Sequence, residues 1–471
     1  MIYNKPVKKK FGLLHILILL LLFSIILAPR PLSGVFNLHQ ARKFAETGDP
    51  TRAASAYALA AAHLPWLPAL WEQAGIEAQA GGDAENSSQY LHEAAHRGMI
   101  SSQGQLALGL ASQQRGDLPA ALQAWRAALP LPEAWRRLAS ASQQAGDDQT
   151  AIHDWQASLT LEPDNADAHY QLGLVLAASA PDQALPELMQ AARLDPSLEK
   201  PVQALRTSLN TASLSDDPGY QLLLSGQALA ALGNWDLAAL AFRNALAARP
   251  GYAEALAWLG LVQQQLGQDA SGDFQHALEL APGSAIVQGL YGMYLQRSDL
   301  PDAARAAFQK AAALQPDDPG WQMALGSAYE QTGDLISAYP FYLHAVELAP
   351  NDPIPWRALV AYSINNGVDV DTTGLPSARR LISLAPDDWQ SYDLAGQAAS
   401  LLGDFTTAET FLKKALELAP LQAAPALHMG LVELQAAKLE TAFSYLSLAK
   451  TLDPDGLVGL MAGRVLGQYF P

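Results

Sequence analysis

The chain contains no cysteine. That absence excludes a disulfide framework, an iron–sulfur cluster, a cysteine nucleophile and any thiolate zinc site. Aromatic residues are scarce, at 8% of 471 positions, while half of all residues are apolar, so alanine and leucine carry much of the apolar fraction. Basic side chains are in the minority too: 29 Lys and Arg stand against 46 Asp and Glu, for a formal charge of −17. Phosphate binding needs clustered Lys and Arg, so this balance argues against nucleic acid as a partner.

Enzyme signatures are missing as well. The sequence has no G-x-x-x-x-G-K-[ST] phosphate loop, no G-x-S-x-G elbow and no G-x-G-x-x-G fingerprint. It has no D-x-D-x-D-G calcium loop either, and no cofactor is expected. The acid pairs Asp147-Asp148, Asp216-Asp217, Asp317-Asp318 and Asp387-Asp388 fall at turns, where carboxylates cap helix N-termini rather than do acid/base work. One string does look catalytic: His92-Glu93-Ala94-Ala95-His96 matches H-E-x-x-H. In zinc peptidases that spacing sets two imidazoles on one helical face, with the glutamate as general base. Here Leu91 and Ala94 take the packing positions, so His92, Glu93 and His96 fall on wetter ones, and Met99 and Ser102 stand where an extended motif needs Gly and a third His. The chain therefore reads as a non-enzyme, with a zinc-dependent peptidase on His92, Glu93 and His96 as the minor alternative.

What is present starts with charge placement. Residues 1–30 hold Lys5, Lys8, Lys9, Lys10 and Arg30 and no acid, which leaves 24 basic against 46 acidic side chains in the remainder. Residues 11–28, FGLLHILILLLLFSIILA, carry no charge, and as a helix they reach about 27 Å, enough for a bilayer core. The stretch is longer than a signal-peptide core, and Ile26 stands where a cleavage site wants a small residue. The expectation is one retained N-terminal transmembrane helix at 11–28 behind a basic cytoplasmic tail at 1–10, with residues 29–36 as a linker. Lys8–Lys10 at the membrane edge favour a cytoplasmic N-terminus and an extracytoplasmic main domain.

From about residue 37 the sequence is periodic. A Leu-x-Pro tripeptide, once Ala-x-Pro, returns at Pro163, Pro196, Pro250, Pro282, Pro316, Pro350, Pro386, Pro420 and Pro454, mostly 32–36 residues apart with one interval of 54. Inside each unit small and large residues recur, as in Leu325, Gly326, Tyr329, Gly333, Ala338, Tyr342, Ala345 and Pro350. The first three line one helical face and Ala338/Tyr342/Ala345 line another. Gly333 can end the first helix in a left-handed conformation, Gly326 lets the two backbones approach beside Tyr342, and Pro350 closes the unit.

This pattern resembles the tetratricopeptide repeat, a helix–turn–helix unit of about 34 residues. The resemblance implies an all-α fold: a right-handed superhelical solenoid of about twelve helix–turn–helix repeats, preceded by the transmembrane helix. Repeats 1–5 are expected at 37–196 and repeats 6–12 at 219–454. Residues 197–218 fit no repeat and read as a single helix followed by a Ser/Asp/Pro loop, and 455–471 as a C-terminal capping helix, as solenoid ends require. In that helix Gly459, Gly463 and Gly467 form a ridge of small residues expected to pack on the last repeat.

The same resemblance implies a function. Tetratricopeptide repeats line a concave groove with the second, fifth, ninth, twelfth and thirteenth residues of each unit. On this chain those positions supply Gln113, Gln114, Gln143, Gln144, Gln264, Gln265 and Gln296, together with Arg136, Tyr170, Met323 and Arg357. Glutamine amides both donate to and accept from an extended peptide without demanding charge. Lysine is absent from all of these places, which disfavours a clamp for acidic tails. The expected partners are protein or peptide segments that are basic, neutral or amphipathic, held by a membrane-anchored scaffold that assembles an envelope or secretion complex. A solenoid that only self-associates is the remaining alternative.

Overall fold

Punctuation in the sequence cuts the chain into short helices. In the computed structural model, which describes residues 29–98 and 100–470, Gly146 and Gly333 take φ of +75° and +78°, the left-handed region that a Cβ makes costly. The aspartates that follow such turns cap the next helix. Asp83, Asp117, Asp147, Asp334 and Asp404 each accept from the backbone N–H three residues on, at 3.0–3.2 Å. Asp217, Asp318, Asp352 and Asp388 cap the helices that open repeats.

Twenty-six α-helices and no strand result among the described residues. The chain divides after Ala248 into two compact units. The first holds hairpins α1 (Pro29–Glu46)/α2 (Pro50–His63), α3 (Ala69–Ala80)/α4 (Ala84–His96), α5 (Ser102–Gln114)/α6 (Leu118–Ala127), α7 (Pro132–Gln144)/α8 (Asp148–Leu161) and α9 (Ala166–Ser179)/α10 (Pro181–Leu194). A lone α11 (Glu199–Ala212) follows, then α12 (Pro218–Ala231)/α13 (Trp235–Ala248). The second unit holds α14 (Ala253–Gln265)/α15 (Ser271–Leu280), α16 (Ala285–Arg297)/α17 (Pro301–Leu314) and α18 (Pro319–Gln331)/α19 (Leu335–Leu348). It continues with α20 (Pro353–Asn366)/α21 (Leu375–Leu384), α22 (Trp389–Leu401)/α23 (Phe405–Leu418), α24 (Ala423–Gln435)/α25 (Leu439–Leu452) and a final α26 (Leu457–Tyr469).

Most hairpins close by setting a small residue on the first helix against a large one on the second. A Cβ on Gly292 would stand 2.7 Å from Phe308, and one on Gly326 would stand 3.2 Å from Tyr342. Those rings then reach the next repeat, where Phe308 joins Leu295, Leu325 and Ala328 in one cluster. Each such ring, fully buried, is worth about 1.5–3 kcal/mol. Within each unit the core is built of clusters that bridge neighbouring hairpins, as expected of stacked repeats.

Several expectations are refined. Residues 29–36 are the start of α1 rather than a linker, because Leu38, Ala41, Phe44 and Ala45 of that helix pack on Ala53, Ala56 and Tyr57 of α2 and draw it into the first hairpin. The segment at 197–218 is helical from Glu199 to Ala212, and its last residue, Pro218, already opens α12 behind the cap Asp217. Of the three ridge glycines in α26, Gly459 alone is tightly packed: a Cβ there would meet Asp453 at 1.6 Å, at Gly463 it would reach the Lys450 side chain at 3.7 Å, and at Gly467 it would meet nothing. The same helix leaves Leu457, Leu460 and Met461 exposed, so its outer face is apolar. Between α20 and α21 the chain makes one wide helical turn, Val370–Gly374.

The expected transmembrane helix at 11–28 and basic tail at 1–10 lie outside the described residues. No helix among the described residues is long and apolar enough to cross a membrane.

Candidate functional site

First helices of successive hairpins put their register positions side by side, and in the first unit this makes a polar concavity. It has a volume of about 450 Å³ and is lined by Glu133, Arg136, Arg137, Ser140, Gln143 and Gln144 of α7, Trp155 of α8, and Asp167 and Gln171 of α9. All five register positions of the α7 repeat are there: Glu133, Arg136, Ser140, Gln143 and Gln144. Arg136 is the organising charge. Its Nε donates to Glu133 at 2.9 Å, and its Nη1 donates to Glu162 across the hairpin. Burial works against the charge on Arg136, but the hydrogen bonds to Glu162 and Glu133 outweigh it and hold the guanidinium protonated. Arg137 donates to the other Glu133 oxygen at 2.7 Å. The wall is thus a fixed set of ion pairs, and the glutamine amides stand beside it.

The structure gathers only part of the expected groove set. Arg136, Gln143 and Gln144 share the concavity, while Gln113 and Gln114 are exposed on α5 without side-chain hydrogen bonds among the described residues. Tyr170 is half-buried on α9, and burial pushes its hydroxyl pKa up. Two residues are engaged by neighbouring repeats. The Gln264 amide donates to the Tyr294 carbonyl at 3.0 Å and to Ser298 Oγ at 2.9 Å, which straps α14 to the end of α16. Arg357 Nη2 donates at 2.8 Å to Asp388, the cap of α22. Gln265 is exposed, and Gln296 and Met323 are half-buried.

The second unit has a concavity of its own. About 300 Å³ in volume, it is lined by Ile364 and Asn365 of α20, Gln397, Ser400 and Leu401 of α22, and His428, Leu431, Val432 and Gln435 of α24. Behind it Asp393, buried to 5% exposure, accepts from His428 Nδ1 at 2.8 Å and from Gln397 Nε2 at 2.9 Å. The repeat register puts Asn365, Gln397, Ser400, Leu401 and Gln435 on this face. The Asp393–His428 pair had no local signal, since its members lie 35 residues apart.

His92 and His96 are exposed on α4, and Glu93 accepts from Arg97 Nε at 2.7 Å. His92 Nδ1 is taken up by the Ser88 carbonyl at 2.7 Å. Among the described residues no group of three His, Asp or Glu could hold a metal ion. What these surfaces offer is hydrogen bonding and shape on stacked helical hairpins.

Stacked hairpins with a lined first-helix face define the class of helical-repeat proteins. One tetratricopeptide-repeat family model matches residues 223–285 and 292–353, a second matches residues 390–420, and a TPR-repeat model matches residues 143–179. Matches to this repeat thus fall in both units. No curated protein matches the chain. Among solved structures the chain is similar to the APC/C hetero-tetramer Cut9-Hcn1, at 14% identity over 93% of this chain and 96% of that one, with a TM-score of 0.45. It is similar to yeast Tom70 at 14% identity over 92% and 95%, with a TM-score of 0.42. A tetratricopeptide repeat protein from Parabacteroides merdae is similar at 16% identity over 53% and 98%, with a TM-score of 0.41.

Proposed function

We propose that this chain is a non-enzymatic interaction scaffold that holds extended segments of other proteins against the first-helix faces of its repeats. The observation that carries this reading is the polar concavity in which Glu133, Arg136, Ser140, Gln143 and Gln144, the five register positions of one repeat, line a single wall. The amides of Gln143 and Gln144 beside a neutralised ion-pair wall suit a main chain better than a free charge. With −17 on the chain, approach of basic or neutral segments is favoured and that of acidic ones opposed. The basic tail and apolar stretch at 1–28 add a membrane anchor to the proposal, with the N-terminus in the cytoplasm and the repeats outside it. Anchoring raises the effective concentration of partners in the same membrane, which fits assembly of an envelope or secretion complex.

The test is a photo-crosslinking residue at Ser140 in intact membranes, compared between wild type and the Gln143→Ala/Gln144→Ala variant. A discrete cross-linked protein that disappears in the variant supports the scaffold; cross-linking that is unchanged removes this groove from consideration. A second reading, self-association, is favoured by the exposed Leu457, Leu460 and Met461 of α26. Sedimentation of the full chain against a Leu460→Asp variant separates it: a concentration-dependent mass lost in the variant supports it, and a monomer at all concentrations rejects it.

A further inference from the structure

We infer that the concavity of the second unit is a recognition pocket for one aliphatic side chain on an extended, uncharged peptide segment. This inference rests on the scaffold reading and names the partner chemistry for one site.

The floor and rim differ in kind. Ile364, Leu401, Leu431 and Val432 give an apolar surface, and Leu401 is 55% exposed, so this surface meets water when the pocket is empty. Around it stand three amides and a hydroxyl whose mutual hydrogen bonds are incomplete. Ser400 Oγ donates to Gln435 Oε1 at 3.0 Å, which leaves the Gln435 NH2 group to donate. Gln397 gives one N–H to Asp393, which leaves its carbonyl oxygen to accept. Asn365 is exposed at the rim with both functions available. A donor and an acceptor beside an apolar hollow are the complement of one residue in an extended chain, whose N–H and C=O flank its side chain.

Charge decides against other occupants. The one carboxylate behind the wall, Asp393, is already matched by His428 and Gln397. A lysine or arginine entering here would lose hydration and find the Asp393 oxygens already taken by hydrogen bonds, and a carboxylate would lose hydration beside a like charge, whereas an aliphatic group loses only contact with water. The first unit's concavity is the opposite case, lined by Glu133, Arg136, Arg137 and Asp167. The two units therefore carry anchors of different chemistry.

The test selects random short peptides, displayed on phage, against the full chain, then measures the enriched peptides by fluorescence anisotropy. Peptides sharing one aliphatic position among uncharged neighbours are expected, with affinity falling about tenfold or more in Leu401→Asp and several-fold in Gln435→Ala. Both residues are exposed, so neither change threatens the fold. If the enriched peptides instead depend on Gln143 and Gln144 and ignore Leu401→Asp, the pocket assignment is overturned while the scaffold reading stands. If no peptide is enriched, or binding survives both sets of changes, both fail.

Discussion

Trp125 fills the space that a side chain on Gly109 would need. A Cβ at Gly109 would lie 2.3 Å from the indole Cδ1 and Nε1, and the indole is 1% exposed. This contact seals the α5/α6 hairpin and carries it to the next, since Trp125 also packs with Leu106, Ala134 and Leu138.

Gly109→Ala is therefore expected to destabilise by about 1–3 kcal/mol, the usual result of overpacking a rigid core. Gly467→Ala is the control, because nothing lies within 4 Å of that position. There the change should be neutral or gain up to about 1 kcal/mol through helix propensity. Urea midpoints of the two variants measure the contrast; equal losses would refute it.

Removing Arg136 should cost stability as well as binding. Its side chain is 17% exposed and holds Glu133 and Glu162 together. Arg136→Ala leaves both carboxylates near each other, and a loss of about 1–3 kcal/mol is expected after allowing for partial solvent screening. Gln143→Ala/Gln144→Ala should leave the melting temperature within about one degree and alter binding alone. Thermal melts run beside the cross-linking assay separate the two effects.

Gln264 straps one repeat to the next. Gln264→Ala should lower stability by about 1 kcal/mol through loss of its bonds to Tyr294 and Ser298. Hydrogen exchange should rise at the end of α16 while peptide affinity stays constant. An affinity loss with unchanged exchange would return Gln264 to the groove.

Acid should loosen the helix starts. Hydrogen bonds from the side chain and backbone of Asn86, Thr150 and Thr407 hold the carboxyls of Asp83, Asp147 and Asp404 below the usual range. A depressed carboxylate contributes stability that is fully present above its unfolded pKa of about 3.9 and is lost as pH falls through the folded value. Burial raises Glu77, Glu254 and Asp148, and these act in the opposite sense. Asparagine caps as well as aspartate but does not titrate. The triple Asp83→Asn/Asp147→Asn/Asp404→Asn variant should match wild type at neutral pH and lose less stability below about pH 4. A parallel acid limb in both proteins would show that these caps do not set it.

The sequence by itself determined whatever depends on neighbours within one hairpin. Gly333 followed by Asp334 encodes a left-handed stop and a cap, and Gly326 paired with Tyr342 encodes which faces close together. The repeat register puts Glu133, Arg136, Ser140, Gln143 and Gln144 on one wall, because a 3.6-residue period decides which side chains share a helical face. Tertiary structure decided which of those side chains stay available. Gln264 reaches Tyr294 30 residues on, Arg357 reaches Asp388 31 residues on, and His428 closes on Asp393 across 35. Those pairings depend on the distance between stacked hairpins, which side-chain volumes in the core set. A periodic pattern carries the direction of each side chain, but the gap it must span appears only once the repeats are packed.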